Sequence, residues 1–385
     1  MRICLIYDCL YPHTVGGAER WYRDLAERLA ADGHEVSYLT MRQWPRGERA
    51  QIDARVRVVS VAPRMALYTE SGRRRILPPL IFGAGVLAHL LRFGRRYEVV
   101  HTCSFPYFPL LAAAAVRPLW RYELVVDWFE VWSRGYWRDY LGGVQGWVGA
   151  AVQRLCARVP QRAFCFSELH AKRLEGEGGW GSRTVLRGLS PPRRAHEAIA
   201  AGPVVVFAGR MIPEKRAPLG VAAVALAAKR VPGLRGAFYG DGPERGAVLA
   251  AIAEHGVGDV VSAPGFVEAE VLEREMSHAM CLLLPSRREG YGLVVVEASA
   301  HATPAVVVAA EDNAAVELVE DGVNGVIAAE GSTEAVADAI VRVSEAGMGM
   351  RESTARWYAE HAEELSLESS LERVLESYRG GAGKD

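Results

Sequence analysis

The chain has 385 residues, half apolar and a quarter charged, an ordinary globular profile long enough for two domains. No apolar run reaches the ~18–20 residues of a membrane span (the longest, 80–91, contains His89), and the N-terminal strand meets Asp8 too early for a signal peptide. The net charge of −1 hides an asymmetry: residues 1–200 hold 29 of the 45 Lys+Arg but 18 of the 46 Asp+Glu, so the two halves carry opposite charge.

The first unit reads as a strand over 2–7, a loop over 8–17, a helix over 18–31 and a strand over 35–40. Trp21, Leu25 and Leu29 recur at helical spacing, and Gly33 stands where a helix terminator belongs. A β-α-β unit of this length implies a right-handed crossover to a parallel strand. Further strands are predicted at 56–61, 98–101, 123–126 and 163–167 with helices between them, a parallel sheet covered on both faces. A loop over 190–203, rich in Pro, Arg and small residues, breaks the pattern and reads as a linker. The alternation then restarts, with strands at 204–208, 235–239, 260–263, 280–284, 304–308 and 325–328. Helices are predicted at 218–230, 244–255, 271–278, after residue 292 and near 314–320, and the tail 334–379 is helical.

The basic excess peaks between Arg42 and Arg96, including Arg73-Arg74-Arg75, Arg92, Arg95 and Arg96. It reads either as a solvated face or as peripheral contact with an anionic membrane or acidic acceptor. Nothing points to nucleic acid. The six cysteines form no C-x-x-C pair and lie mostly in apolar stretches, as reduced thiols of a cytoplasmic protein do, and a structural zinc is not indicated. Only four lysines occur, at 172, 215, 229 and 384, which draws attention to Lys215.

Ligands of open parallel sheets bind beyond the carboxyl ends of the strands, and the candidate residues fall there. Gly16-Gly17 opens the first helix, where backbone N–H groups face an anion, or is simply a tight turn. Gly209-Arg210 and Glu214-Lys215-Arg216 follow the first strand of the second unit, where two or three cations suit a diphosphate. Gly240-Asp241-Gly242-Pro243 is a turn or a ligand loop. In Glu289-Gly290-Tyr291-Gly292-Leu293-Val294, with Glu297 inside the helix that begins there, a phosphate seat is flanked by two carboxylates. Those carboxylates would repel a bare phosphate and suit something hydroxyl-rich attached to it. No G-x-G-x-x-G follows the first strand, no P-loop motif occurs, and no D-x-D offers a carboxylate-held metal.

These elements occur in the order seen in retaining nucleotide-sugar glycosyltransferases of the GT-B fold, family 4, which the chain resembles over nearly its whole length. Glu317-Leu318-Val319-Glu320-Asp321-Gly322-Val323-Asn324-Gly325 adds to the likeness. The resemblance implies two Rossmann-like α/β domains facing across a cleft: an acceptor-side domain at 1–193, completed by a crossover helix at 364–385, and a donor-side domain at 202–363. It implies Arg210 and Lys215 on the diphosphate, Glu289 at the donor sugar and Glu297 on the ribose. Gly16, Gly17, Gly209, Gly240, Gly290, Gly292, Leu293 and Val294 complete the donor site. Neither cofactor nor metal is implied, and the nucleoside diphosphate sugar is the co-substrate. The family's usual His after the strand at 123–126 is here Phe129, so Asp127 or Glu130 is expected to take the polar role, with His101 a candidate substitute or equally a packed strand-end histidine. The Gly usual before Thr-Pro is Ala302, and a usual Gly-Gly reads Asn313-Ala314. Acceptor recognition is expected among Tyr107, Phe108, Trp128, Trp132, Tyr136 and Trp137, unless these are core. Two alternatives stay open: an epimerase of the same fold, and a catalytically altered or silent nucleotide-sugar-binding protein motivated by Phe129.

Overall fold

The computed structural model describes residues 1–45, 47–67, 75–189 and 195–381. It forms two compact units, one made of Met1–Thr69, Arg73–Leu189 and Glu368–Asp385, the other built on Ser190–Leu367.

In chain order the N-terminal unit contains β1 (Arg2–Ile6), α1 (Gly17–Ala31), β2 (Glu35–Met41), β3 (Arg57–Ala62), α2 (Leu77–Phe93), β4 (Val99–Cys103) and α3 (Tyr107–Trp120). There follow β5 (Glu123–Trp128), α4 (Arg134–Leu141), α5 (Gly143–Ala157), β6 (Arg162–Cys165), α6 (Glu168–Gly176) and β7 (Arg183–Val185). The seven strands pair in parallel in the order β3-β2-β1-β4-β5-β6-β7. Gly33 ends α1 in the left-handed conformation (φ +82°), where the next N–H, of His34, returns to Leu29 O. Strand alternation splits the core in two. On one sheet face Cys4, Ile6, Leu124 and Val126 pack under α2, α3 and α5.

The opposite face is covered by α1 and by α12 (Leu367–Gly381), and it encloses a polar cluster. Asp127 is fully buried at the end of β5; Trp21 Nε1 donates to its Oδ2 at 2.7 Å. His101 Nε2 lies 2.9 Å from Oδ1, close in distance although short of hydrogen-bond alignment, and His101 Nδ1 meets Tyr378 Oη at 2.5 Å. Asp127, expected in a polar catalytic role, is a core residue because β5 runs two residues past the predicted strand end and carries it inside, and His101 takes the packed alternative.

The second unit contains β8 (Val204–Ala208), α7 (Ala217–Ala227), β9 (Arg235–Tyr239), α8 (Arg245–Glu254), β10 (Val261–Gly265), α9 (Ala269–His278), β11 (Cys281–Leu284) and β12 (Arg288–Glu289). Next come α10 (Leu293–Ala300), β13 (Ala305–Val308), β14 (Asp312–Asn313), β15 (Gly325–Ala328) and α11 (Thr333–His361). Six strands form a parallel sheet in the order β10-β9-β8-β11-β13-β15, and β12 pairs with β14 in a separate ribbon. The helix expected near 314–320 is a short 3-10 helix, Ala314–Leu318, and α11 breaks at Gly347 (φ +55°). α12 then returns to the N-terminal unit, where Val374 and Tyr378 are buried and Ser370 Oγ accepts from Gly188 N at 3.0 Å. That return is the crossover helix the resemblance implied.

Ala302, standing where relatives usually have glycine, is buried in the left-handed region (φ +55°). A side chain there costs about 1–2 kcal/mol, partly offset by the flexibility glycine adds to the unfolded chain. Ala302→Gly is therefore expected to raise the denaturation midpoint, by up to about 1 kcal/mol; a lowered midpoint contradicts this. Asp127→Ala strands Trp21 and His101 in the core and should cost about 2–4 kcal/mol. Calorimetry reads the loss, and at a temperature where the variant stays folded its nucleotide binding should match the parent's.

Candidate functional site

The site residues are delivered by loops at the carboxyl ends of β8, β9 and β11. After β8 the chain turns at Gly209 and continues through Arg210 into a 3-10 turn, Pro213–Lys215. Three backbone bonds seat this loop: Gly209 N to Tyr239 O at 3.1 Å, Met211 N to Asp241 O at 2.9 Å and Glu244 N to Met211 O at 2.8 Å. A Cβ on Gly240 (φ +126°) would lie 1.9 Å from Gly209 O. One on Gly242 would lie 2.5 Å from Met211 O. These glycines let the β9 loop lie flat against the β8 loop, so Gly240 braces the cation loop.

The loop after β11 docks on the same scaffold. Arg287 N donates to Glu214 O at 2.9 Å, and Lys215 Nζ lies 2.5 Å from Glu289 Oε1, an ion pair that is mostly buried. Gly292 caps α10 in the left-handed region (φ +104°), and a Cβ there would strike Ala315 Cβ at 2.6 Å. Asn313 holds the arrangement from behind. Its Nδ2 donates to Ser286 O (3.1 Å) and Val308 O (2.8 Å), and its Oδ1 accepts from Ala315 N (3.1 Å). Where the resemblance implied a Gly-Gly pair, Asn313 is thus a side-chain clasp.

Gly209, Arg210, Lys215, Glu289, Gly290 and Gly292 therefore stand on loops tied directly to one another. Leu293 and Val294 supply the first N–H groups of α10, which a helix leaves without internal partners, and Glu297 lies half-buried one turn further in. Arg210 is exposed at the loop's edge. Arg216, the third cation of the motif, departs from expectation: it turns away and donates to Gly331 O at 2.9 Å, and burial lowers its pKa.

In the N-terminal unit, Gly16 is the cap of α1 in an extended conformation and Gly17 its first residue. Glu19 folds back so far that a Cβ on Gly16 would lie 2.3 Å from Glu19 Oε2. The buried Glu19 carboxylate thus lies at this helix start. Phe129 sits one residue past β5, half-buried and stacked on Phe166 with ring centroids 4.5 Å apart. Glu130 Oε2 accepts from Trp132 Nε1 at 2.5 Å.

The aromatics expected to read an acceptor are mainly core. Tyr107, Trp128, Tyr136 and Trp137 are buried, and Gln153 Oε1 accepts from Tyr107 Oη at 3.0 Å, Trp132 N at 2.9 Å and Trp137 Nε1 at 3.2 Å. Sequence reasoning missed Asn313, Glu19 and His170, whose Nδ1 accepts from Val131 N at 3.1 Å to hold the loop after β5. Only the Glu three residues into α1, a capping-box spacing, carried a readable signal.

The chain matches the family model "Glycosyl transferase 4-like domain" over residues 16–189 and "Glycosyl transferases group 1" over residues 202–346. It is 33% identical over 216 residues to a D-inositol 3-phosphate glycosyltransferase of Saccharomonospora viridis, spanning 51% of this chain and 49% of that protein. It is 31% identical over 141 residues to an alpha-D-kanosaminyltransferase of Streptomyces kanamyceticus, spanning 37% and 36%. The match thus spans a third to a half of the length of these curated relatives. Among solved structures, a sucrose-phosphate synthase from Thermosynechococcus elongatus superimposes with a TM-score of 0.78 at 20% identity over 98% of both chains. Anabaena HepE, in complex with UDP and glucose, superimposes with a TM-score of 0.69 at 18% identity over 99% of this chain and 100% of that one. At such identities the likeness is one of fold. With both units matched by family models, the chain belongs to the group 1 glycosyltransferases, with a glycosyltransferase 4-like N-terminal domain on the GT-B fold.

Proposed function

We propose that this chain transfers a glycosyl residue from a nucleoside diphosphate sugar to an acceptor hydroxyl, with retention and without a metal. The observation that carries the reading is the Lys215–Glu289 pair held between two glycine-braced loops beside the start of α10. In the reaction the bond from the anomeric carbon to the diphosphate oxygen breaks and a bond to the acceptor oxygen forms, while the acceptor proton departs. Negative charge grows on the leaving diphosphate and positive charge on the sugar. Arg210 and Lys215 are assigned to the first and Glu289 to the second, with Lys215 and Glu289 held by their ion pair before the reaction. Glu297 is assigned to the ribose hydroxyls and the Leu293 and Val294 N–H groups to the phosphate. Cations already occupy the role a metal would have on a diphosphate, and the motif likeness supports retention. The complex of a structural neighbour with UDP and glucose supports the nucleotide-sugar donor. The six cysteines, all buried and unpaired, suit a cytoplasmic setting.

A second reading rests on Phe129. With an apolar side chain at the end of β5 and His101 sealed in the core, the chain would bind the donor without turning it over. Release of free sugar or product from a panel of UDP-, GDP-, ADP- and TDP-sugars separates the two, because binding alone shifts the melting temperature without turnover. If no member of the panel does either, both readings fail.

Lys215→Ala should lower transfer by about 10²–10³-fold, the scale of losing one fixed stabilising group. Glu289→Gln should split binding from chemistry. With one negative charge gone from beside Lys215, free nucleoside diphosphate should bind severalfold tighter while transfer falls at least tenfold. Calorimetric titration beside initial rates measures both; parental transfer in these two variants would remove the site assignment.

A further inference from the structure

The helical layer α2, α3 and α5 presents an unusual outer surface. Of the sixteen large apolar side chains exposed among the described residues, ten lie on these three helices or at the cap of α2. On α2 they are Leu77, Leu80, Leu87 and Leu91, spaced to form one stripe, while Phe82, Val86 and Leu90 of the same helix fill the core beneath. On α5, Val144, Trp147, Val148 and Leu155 form a second stripe, with Trp147 73% exposed and Val144 80% exposed. Single exposed leucines are commonplace; two aligned stripes on one layer are not.

Charge on this layer has one sign. No Asp or Glu occurs in α2, α3 or α5, whereas α1 and α12 across the sheet carry three each. Right-handed crossovers run these helices antiparallel to the strands, so their C-terminal ends share the rim where the strands begin. Exposed arginines collect at that rim: Arg92 in the last turn of α2, Arg95 and Arg96 after it, Arg121 after α3 and Arg158 after α5. Glu98 and Glu123, near that rim, are paired with Arg2 and Arg162, and Glu177 with Arg154 of α5. Farther upstream, Arg42 donates to the carbonyls of Trp44 and Pro45 and Arg55 pairs with Asp53, so the basic segment noted in the sequence is partly spent internally. Arg73 and Arg74 of the triplet lie outside the described residues.

We infer that the α2–α3–α5 face is a membrane-docking surface that lays its apolar stripes into the interface of an anionic bilayer, with the arginine rim on the lipid headgroups. Aliphatic stripes, an interfacial Trp and arginine without acid are what that environment selects. A second copy meeting it through the same face would cover the stripes but bring no acidic helix residue to the rim. The surface lies on the membrane and does not cross it. By length and composition alone Leu77–Arg96 would qualify as a span, which corrects the expectation that no such segment exists. Yet α2 is locked to the sheet: a Cβ on Gly85 would lie 2.0 Å from Val61 O and one on Gly83 2.6 Å from Phe108 Cβ, so the backbones touch. Removing it would open the core.

The test is co-sedimentation of the full chain with vesicles of pure phosphatidylcholine and of phosphatidylcholine with ~30% phosphatidylglycerol, alongside sedimentation velocity of the protein alone. The chain should bind the anionic vesicles at least tenfold more tightly than the neutral ones. Trp147→Ser with Leu91→Ser should weaken that binding tenfold or more. Separately, Arg92→Gln with Arg95→Gln and Arg96→Gln should weaken it by roughly fivefold per arginine. All five positions are exposed, and an unchanged melting temperature verifies folding. Equal binding to neutral vesicles, no binding to either, or variants that bind like the parent would overturn the inference. A dimer that the same serine substitutions dissociate would overturn it too, by assigning the face to a second copy.

Discussion

The donor side depends on one ion pair. Lys215 and Glu289 come from loops 74 residues apart, and each is mostly removed from water. A charge so placed needs a partner, and here each satisfies the other. The pair holds the β8 and β11 loops in register. On the proposed function, a diphosphate arriving at Lys215 would compete with Glu289 for the same ammonium. Lysine suits that place better than arginine: a compact point charge can be shared between a carboxylate on one side and a phosphate on the other. The glycines at 209, 240, 242 and 292 are the geometric condition for the pair, since side chains at 240, 242 and 292 would force the loops apart.

Much of this was legible in the chain. Alternating strands and helices marked both sheets because each strand is buried on two faces and reads as a short continuous apolar run. The cation loop and the two carboxylates could be picked out because charged residues bunched at strand ends have few structural reasons to be there. Less visible were partners distant in sequence. Nothing local announces that Asn313 clasps Ser286 and Val308, or that Gly240 answers to the carbonyl of Gly209. Such roles exist only once the loops are stacked.

The misplaced residues share a cause. Asp127 and His101 looked functional because they are polar and near strand ends, but β4 and β5 each run two residues beyond the apolar runs that marked them. With that extension, alternation turns both side chains into the face covered by α1 and α12, where Trp21 and Tyr378 receive them. Arg216 was grouped with Arg210 and Lys215 by adjacency, yet its left-handed backbone (φ +52°) carries it toward Gly331. The aromatic crowd after β5 reflects packing around Gln153. Phe129 alone keeps its meaning, an apolar ring where the resemblance implied a histidine.

The most direct test is a crystal structure of the full chain with a bound nucleoside diphosphate. The account predicts the diphosphate against Arg210, Lys215 and the N–H groups of Leu293 and Val294, with the ribose hydroxyls on Glu297 and Lys215 Nζ drawn toward phosphate from Glu289. A nucleotide bound elsewhere, above all at the start of α1 beside Gly16 and Gly17, with the Lys215–Glu289 pair undisturbed, would contradict it.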